Sequence, residues 1–133
     1  MDYIKMSDFE INTAVFEAIH GGSPDYKEGD GGAMVLISYE GDIVGGDAVE
    51  VEVERGVFNP CNSPEDAWPI IAENKISIYT AIFGDSRGEW GAESSATDYY
   101  HFHNNALRAA MIVFLMMQES ANVQANPARP DIR

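Results

Sequence analysis

The chain contains one cysteine, Cys61, among 133 residues, so an internal disulfide framework is excluded and a reducing compartment fits. An intermolecular bridge through that single thiol stays open. Basic residues are also scarce: 8 Lys and Arg face 22 Asp and Glu, giving a formal net charge of -14. Binding along a nucleic-acid backbone requires cations to neutralise phosphates. Direct nucleic-acid binding is therefore not expected, while plain solubility or attraction of a basic partner is. Long apolar runs are missing too. The longest, Ala109 to Met117, is far short of the ~20 residues that span a bilayer, so no membrane partner is expected. Met1-Asp2-Tyr3-Ile4-Lys5 runs into a capped helix without a charged stretch followed by an apolar one, so no secretory leader is expected.

Standard enzyme signatures are lacking as well. There is no Gly-rich phosphate loop, no G-x-S-x-G elbow and no H-E-x-x-H, so a binder is expected ahead of an enzyme and no cofactor is implied. His101-Phe102-His103 would set two imidazoles on one side if extended. A catalytic zinc needs a third protein ligand, and neither Cys61 nor His20 stands at a zinc spacing. Cys61 as a nucleophile beside one of these histidines rests on weak grounds against a structural, buried thiol.

What the chain does contain is a set of α and β signals of the length of one domain, residues 1–121, followed by an irregular tail over 122–133. Ser7-Asp8-Phe9-Glu10 has the form of a capping box, with Met6 and Ile11 placed as a hydrophobic staple. Ile11, Val15, Ala18 and Ile19 recur at helical spacing up to the stop at Gly21-Gly22. Residues 23–32 read as a mobile surface loop. Met34 to Tyr39 and the alternating Val49 to Glu54 read as an antiparallel pair around a Gly-Asp turn region. The valines are expected to face a core, with Glu50, Glu52 and Glu54 roughly 7 Å apart on the other face. Such a flat row is a solvated face rather than a calcium site, which needs converging oxygens. Ile76 to Ile82 reads as another strand, Gly88 to Ala92 as a short one, and Asn104-Asn105 starts a last helix that is apolar all round. The fold class that follows is α+β: a small antiparallel sheet of three to four strands packed against an N-terminal amphipathic helix and a buried C-terminal helix.

Asn59 to Ile71 is the densest stretch of special backbone positions. Two helix starts compete in it: Ser63 as cap with Pro64 at the first position, or Asp66 as cap with Ala67-Trp68-Pro69 as the first turn. An interior proline costs roughly 3 kcal/mol, so Pro69 favours Asp66. Trp68 then lies near a helix N-terminus, either covering the core or offering a stacking platform, with Trp90 and Tyr99-Tyr100 as further flat side chains. Arg108 sits in the first turn of the last helix, an unfavourable place for a cation. An acidic side chain such as Asp66 or Glu73, or a bound anion, would offset it.

Taken together, Ser7 to Asn12, the Asn59 to Ser77 stretch with Asp66-Ala67-Trp68-Pro69-Ile70-Ile71, and Asn105-Ala106-Leu107-Arg108-Ala109 resemble the NinX-like family of small tailed-phage and prophage proteins. Ala106 stands where proline is common in relatives, and Asp30 to Arg55 has no recognised counterpart. The resemblance implies an accessory protein of the host bacterial cytoplasm and transfers no activity. It suggests counteraction of host defence by capture of a nucleotide-derived signal, in a pocket drawing on Asn59, Asp66, Trp68, Trp90, Asn105 and Arg108. The alternative is an acidic inhibitor or DNA mimic that occupies a host defence protein, nuclease or regulator. A small hydrolase using Asp66, Cys61 or His103 is the third possibility. Homo-oligomerisation stays open.

Overall fold

Ser7 caps a helix in the computed structural model, which describes residues 2–82 and 84–125, the side chains of 122–125 excepted. Its hydroxyl accepts from the Glu10 amide at 3.1 Å, and the Glu10 carboxylate accepts from the Ser7 amide at 3.0 Å. Helix α1 spans Asp8–His20 and ends at Gly21, whose φ of 75° is the left-handed stop anticipated from its lack of a Cβ. Its buried stripe is Ile11, Asn12 and Val15, whereas Ala18 and Ile19, expected in the same stripe, are exposed. Chain clustering divides the protein into two compact units, Met1–Asn59 and Pro60–Arg133.

The first unit carries α1 and an antiparallel sheet of β1 (Tyr26–Glu28), β2 (Met34–Val44) and β3 (Asp47–Phe58), in the order β1-β2-β3. Residues 23–32 are thus not simply a mobile loop. Tyr26 to Glu28 pair with Leu36 to Met34, and Asp30–Gly32 forms a short 3-10 turn. That strand shows no periodicity because all three of its residues are exposed, so no buried face writes a pattern into it. Gly32 is held where a Cβ would meet the Asp8 Cβ at 2.9 Å, which brings the turn against the start of α1. The 0% exposed Asn12 spans these parts: its Nδ2 donates to the Gly32 carbonyl at 3.0 Å and to Asn59 Oδ1 at 2.8 Å.

The β2–β3 pairing is antiparallel, and its turn lies at Gly45-Gly46, within the Gly- and Asp-containing region between the two runs. With φ of 63° and 90°, the two glycines close a two-residue hairpin in a conformation that residues bearing a Cβ resist. The ribbon is consequently longer than its alternating segments suggested. One bulge interrupts it, where Leu36 faces Gly56 and Ile37 faces Glu54, leaving Arg55 as the extra residue. The valines do not face a core: Val49 is 38% and Val51 39% exposed, on a ribbon wet on both faces. Strict alternation specifies two different faces and says nothing of what covers either.

The second unit carries α2 (Pro64–Glu73), a sheet of β4 (Ile76–Thr80), β5 (Trp90–Ser94) and β6 (Tyr100–His103), and α3 (Ala106–Ala125). The strand order is β4-β5-β6, all antiparallel. Helix α3 packs on all three strands and on α2, burying Ala109 to Leu115 continuously as its all-round apolar sequence demands. It runs to Ala125, past the start of the irregular tail anticipated at 122, and residues 126–133 lie outside the described residues. The protein is therefore α+β, with two three-stranded antiparallel sheets in place of one of three to four strands. No helix among the described residues is long and apolar enough to cross a membrane.

Candidate functional site

Helix α2 begins at Ser63, not at Asp66. The Ser63 hydroxyl accepts from the Asp66 amide at 3.4 Å, Pro64 occupies the first turn, and Pro69 lies inside the helix. The reason lies in which side of the helix carries the defect. Pro69 and Glu65, whose carbonyl loses its usual donor, are both exposed, so the defect lies on the solvent side of the helix. Ala67, Ile70 and Ile71 meanwhile bury the opposite side. Each buried isoleucine contributes on the order of 1.5–3 kcal/mol and the cap about 1 kcal/mol, against an interior proline cost of about 3 kcal/mol. Asp66 then lies in the first turn beside Glu65, where a carboxylate favours the helix dipole. Trp68 falls on the exposed side at 64% exposure, and no ring contact among the described residues joins it to Trp90.

At the start of α3, Asn105 performs two tasks. Its Oδ1 accepts from the amides of Leu107 at 3.0 Å and Arg108 at 3.1 Å, satisfying two of the helix's free donors. Its Nδ2 donates to the Cys61 carbonyl at 2.8 Å and to Asn62 Oδ1 at 3.2 Å. The Pro60–Ser63 turn and the last helix, the two regions singled out in the sequence, are thereby joined through Asn105.

Strand β6 gathers further groups that the motifs did not connect. It was anticipated only as a condition, two imidazoles on one side if extended, and it is extended. Trp90 pairs with His103 and Ala92 with His101, so these four side chains share a face with Ile76 and the buried Ser94. Cross-strand partners set their Cβ atoms roughly 5 Å apart, which makes the Trp90 indole a neighbour of the His103 imidazole. His103 Nδ1 accepts from the Asn105 amide at 2.9 Å. That nitrogen must carry no proton, leaving Nε2–H as the ring's donor. Arg108, 6% exposed, brings a buried guanidinium to the same helix end. The His101 pKa is pushed below its ordinary value by burial first, then by His103 and Arg108.

The loop before β5 is fitted closely to this end of the sheet. Gly88 has a φ of 148°, and a Cβ there would lie 2.5 Å from the His103 carbonyl carbon. The Glu89 amide donates to Asn104 Oδ1 at 3.2 Å. Backbone geometry, and not only the β5 ladder, therefore sets where Trp90 enters the strand.

The opposite face of the sheet is aromatic. Tyr79, Gly91 and Phe102 form one row across the three strands. The Tyr79 ring lies over Gly91, where a Cβ would meet it at 2.5 Å, and meets Phe102 edge-on at 6.0 Å between centroids. The Arg87 guanidinium stands 3.9 Å over Phe102 and is gripped by Asp85 at 2.8 and 3.1 Å, which holds the Asp85 carboxyl below its usual range.

Of the six anticipated site residues, Trp90, Asn105 and Arg108 thus occur around one end of the β4–β5–β6 sheet. Trp68 and Asp66 lie on α2, and Asn59 belongs to the first unit, accepting from Asn12 and donating to the Gly31 carbonyl at 3.5 Å. His101 and His103 were missed as partners of Arg108; their spacing on an extended strand was the available signal. Among the described residues no group of three His, Cys, Asp or Glu side chains is placed to hold a metal ion. The end of the sheet thus groups two imidazoles with an indole, and the Arg108 guanidinium lies near enough to His101 to lower its pKa.

No curated protein and no solved structure matches this chain. A family model described as Bacteriophage P22, NinX matches residues 2–118, running through the Asp30 to Arg55 stretch for which the motifs offered no counterpart, and the chain belongs to that phage family.

Proposed function

We propose that this phage accessory protein is a non-catalytic binder that counters a host defence by sequestering a nucleotide-derived signalling molecule. The observation that carries the reading is the nearness of Arg108 to His101, on the strand that sets His103 opposite Trp90, in a chain of net charge -14. One guanidinium and two imidazoles, of which His101 gains charge more readily once an anion is bound, favour a phosphate there over elsewhere on so acidic a surface. The Trp90 indole supplies stacking area for a base. His103 supports binding over turnover: its Nδ1 is engaged by the Asn105 amide, so that nitrogen does not serve as a base.

The sign of the pH dependence follows from His101. Its depressed pKa reflects burial and neighbouring positive charge, and a bound anion offsets that charge, so binding takes up a proton and tightens as the pH falls below 7. Calorimetric titration with cyclic dinucleotides and ADP-ribose derivatives at pH 6 and pH 8 tests this. The expected result is tighter binding at pH 6, lost in Trp90→Ala and weakened in His101→Gln, with the ligand recovered intact after denaturation. Absence of binding by both ligand classes overturns the reading, and recovery of cleaved ligand replaces capture with hydrolysis. A second reading, an acidic inhibitor of a host protein, is favoured by a different observation: the ribbon over residues 39–54 holds six carboxylates and no basic residue.

A further inference from the structure

The β2–β3 ribbon leaves a strand edge open. β3 is an outer strand of its sheet, and β1 pairs with β2 only at Met34 to Leu36, so from Tyr39 to Glu52 the ribbon is two strands wide. Exposed strand edges present unpaired amides and carbonyls to any strand that approaches. Proteins usually blunt them with charged side chains, lysine above all, with proline or with a bulge. Here no lysine lies between Lys27 and Lys75, no proline between Pro24 and Pro60, and the one bulge, at Leu36/Ile37, lies at the base of the ribbon. Beyond it Tyr39, Ile43, Val44, Val49 and Val51 are exposed.

What the edge does carry is a column of Glu50, Glu52 and Glu54 on one face and Val49, Val51 and Val53 on the other. This alternation discriminates among partners. Directly opposed residues of an antiparallel pair share a face. A two-fold pairing of β3 with its own copy therefore sets glutamate opposite glutamate and valine opposite valine, whatever the register. Opposed like charges destabilise a sheet, so a second copy is disfavoured. A strand that alternates apolar residues with lysine or arginine is matched on both faces. The first unit contains a small precedent: Lys27 of β1 reaches across β2 to Glu52 at 2.5 Å and Glu54 at 3.5 Å.

We propose that the free edge of β3 takes up an extended segment of a basic partner protein in which apolar residues alternate with Lys or Arg, adding it as a fourth strand. Main-chain hydrogen bonds to residues 47–54 provide attachment, the carboxylate column provides selection, and the exposed valines receive the apolar side chains. The proposal rests on the reading of the protein as an acidic interaction module and is independent of the ligand site in the second unit.

Fluorescence anisotropy with a labelled, end-blocked heptapeptide of alternating valine and lysine tests it, using the full chain. Binding is expected, with protection of the amides of residues 47–54 from hydrogen exchange. The same peptide methylated on every backbone nitrogen is expected to bind about tenfold more weakly or not at all, because neither of its edges can complete the ladder. A valine–glutamate heptapeptide is not expected to bind. Glu50→Gln with Glu52→Gln keeps the shape of the edge and is expected to weaken binding several-fold, while Glu50→Lys with Glu52→Lys is expected to transfer preference to the valine–glutamate peptide. Equal binding of the methylated peptide overturns strand addition and leaves only charge attraction. Absence of binding by the unmodified peptide overturns both strand addition and the acidic-module reading.

Discussion

The β2–β3 ribbon and the β4–β5–β6 sheet are built from similar alternating residues, and they meet opposite fates. In the ribbon, Val49 and Val51 stay more than a third exposed. In the second sheet, Ile76, Ala92 and Ser94 are buried, because α3 lies on all three strands. Alternation divides side chains between two faces, and only a neighbouring element decides whether either face is dry. The ribbon therefore depends on its backbone ladder and glycine turn, whereas the sheet depends on the packing of α3.

That contrast can be broken most strongly from the helix side. Met111 is fully buried on α3, and Met111→Ala is expected to cost about 2–5 kcal/mol in urea unfolding, since both the buried side chain and the cavity left behind count. An unchanged midpoint would mean that α3 does not anchor the sheet. Asn105→Ala comes next, at about 2 kcal/mol, because it removes a helix cap and also two donor bonds to the preceding turn. Ser7→Ala, which removes the cap of α1, is the comparison, at about 1 kcal/mol. If the two variants lose equal stability, the bridge from Asn105 to Cys61 and Asn62 contributes nothing.

A smaller effect is expected from pH. The folded pKa of His101 lies below the ordinary histidine value of 6.5, so as the pH falls below 6.5 the unfolded chain takes up its proton first. Stability conferred by the neutral ring is complete above that value and declines as the pH drops towards the folded pKa. Unfolding midpoints between pH 7.5 and pH 5 should fall less steeply in His101→Gln than in the parent; parallel curves would sink the assignment. Least of all is expected from Val51→Thr on the ribbon, within about 0.5 kcal/mol, as for exposed sites generally. A loss comparable to that of Met111→Ala would mean that the ribbon's valine face is buried in solution.

The legible features were local ones. Ser7 with Glu10, Gly21 and Asn105 each act within one helical turn, so a few adjacent residues carry the whole physical cause. Pro69 misled because the cost of an interior proline depends on whether the freed carbonyl faces water, which is decided by the buried side of α2. Tyr26 to Glu28 wrote no pattern because nothing covers them. Trp68 and Trp90 read as equivalent flat side chains, yet one lies on an exposed helix face and the other is set by the close approach of Gly88 to His103.

Short-range physics made the helix starts and stops, the acidic character and the α+β class readable from residue order, because caps, periodicity and charge need no distant partner. Division of the strands between two sheets, exposure of the ribbon and the pairing of Trp90 with His103 depended on contacts between separate segments of the chain. Those contacts fix which alternating face is dry and which side chains of different strands become neighbours, and no local propensity encodes either.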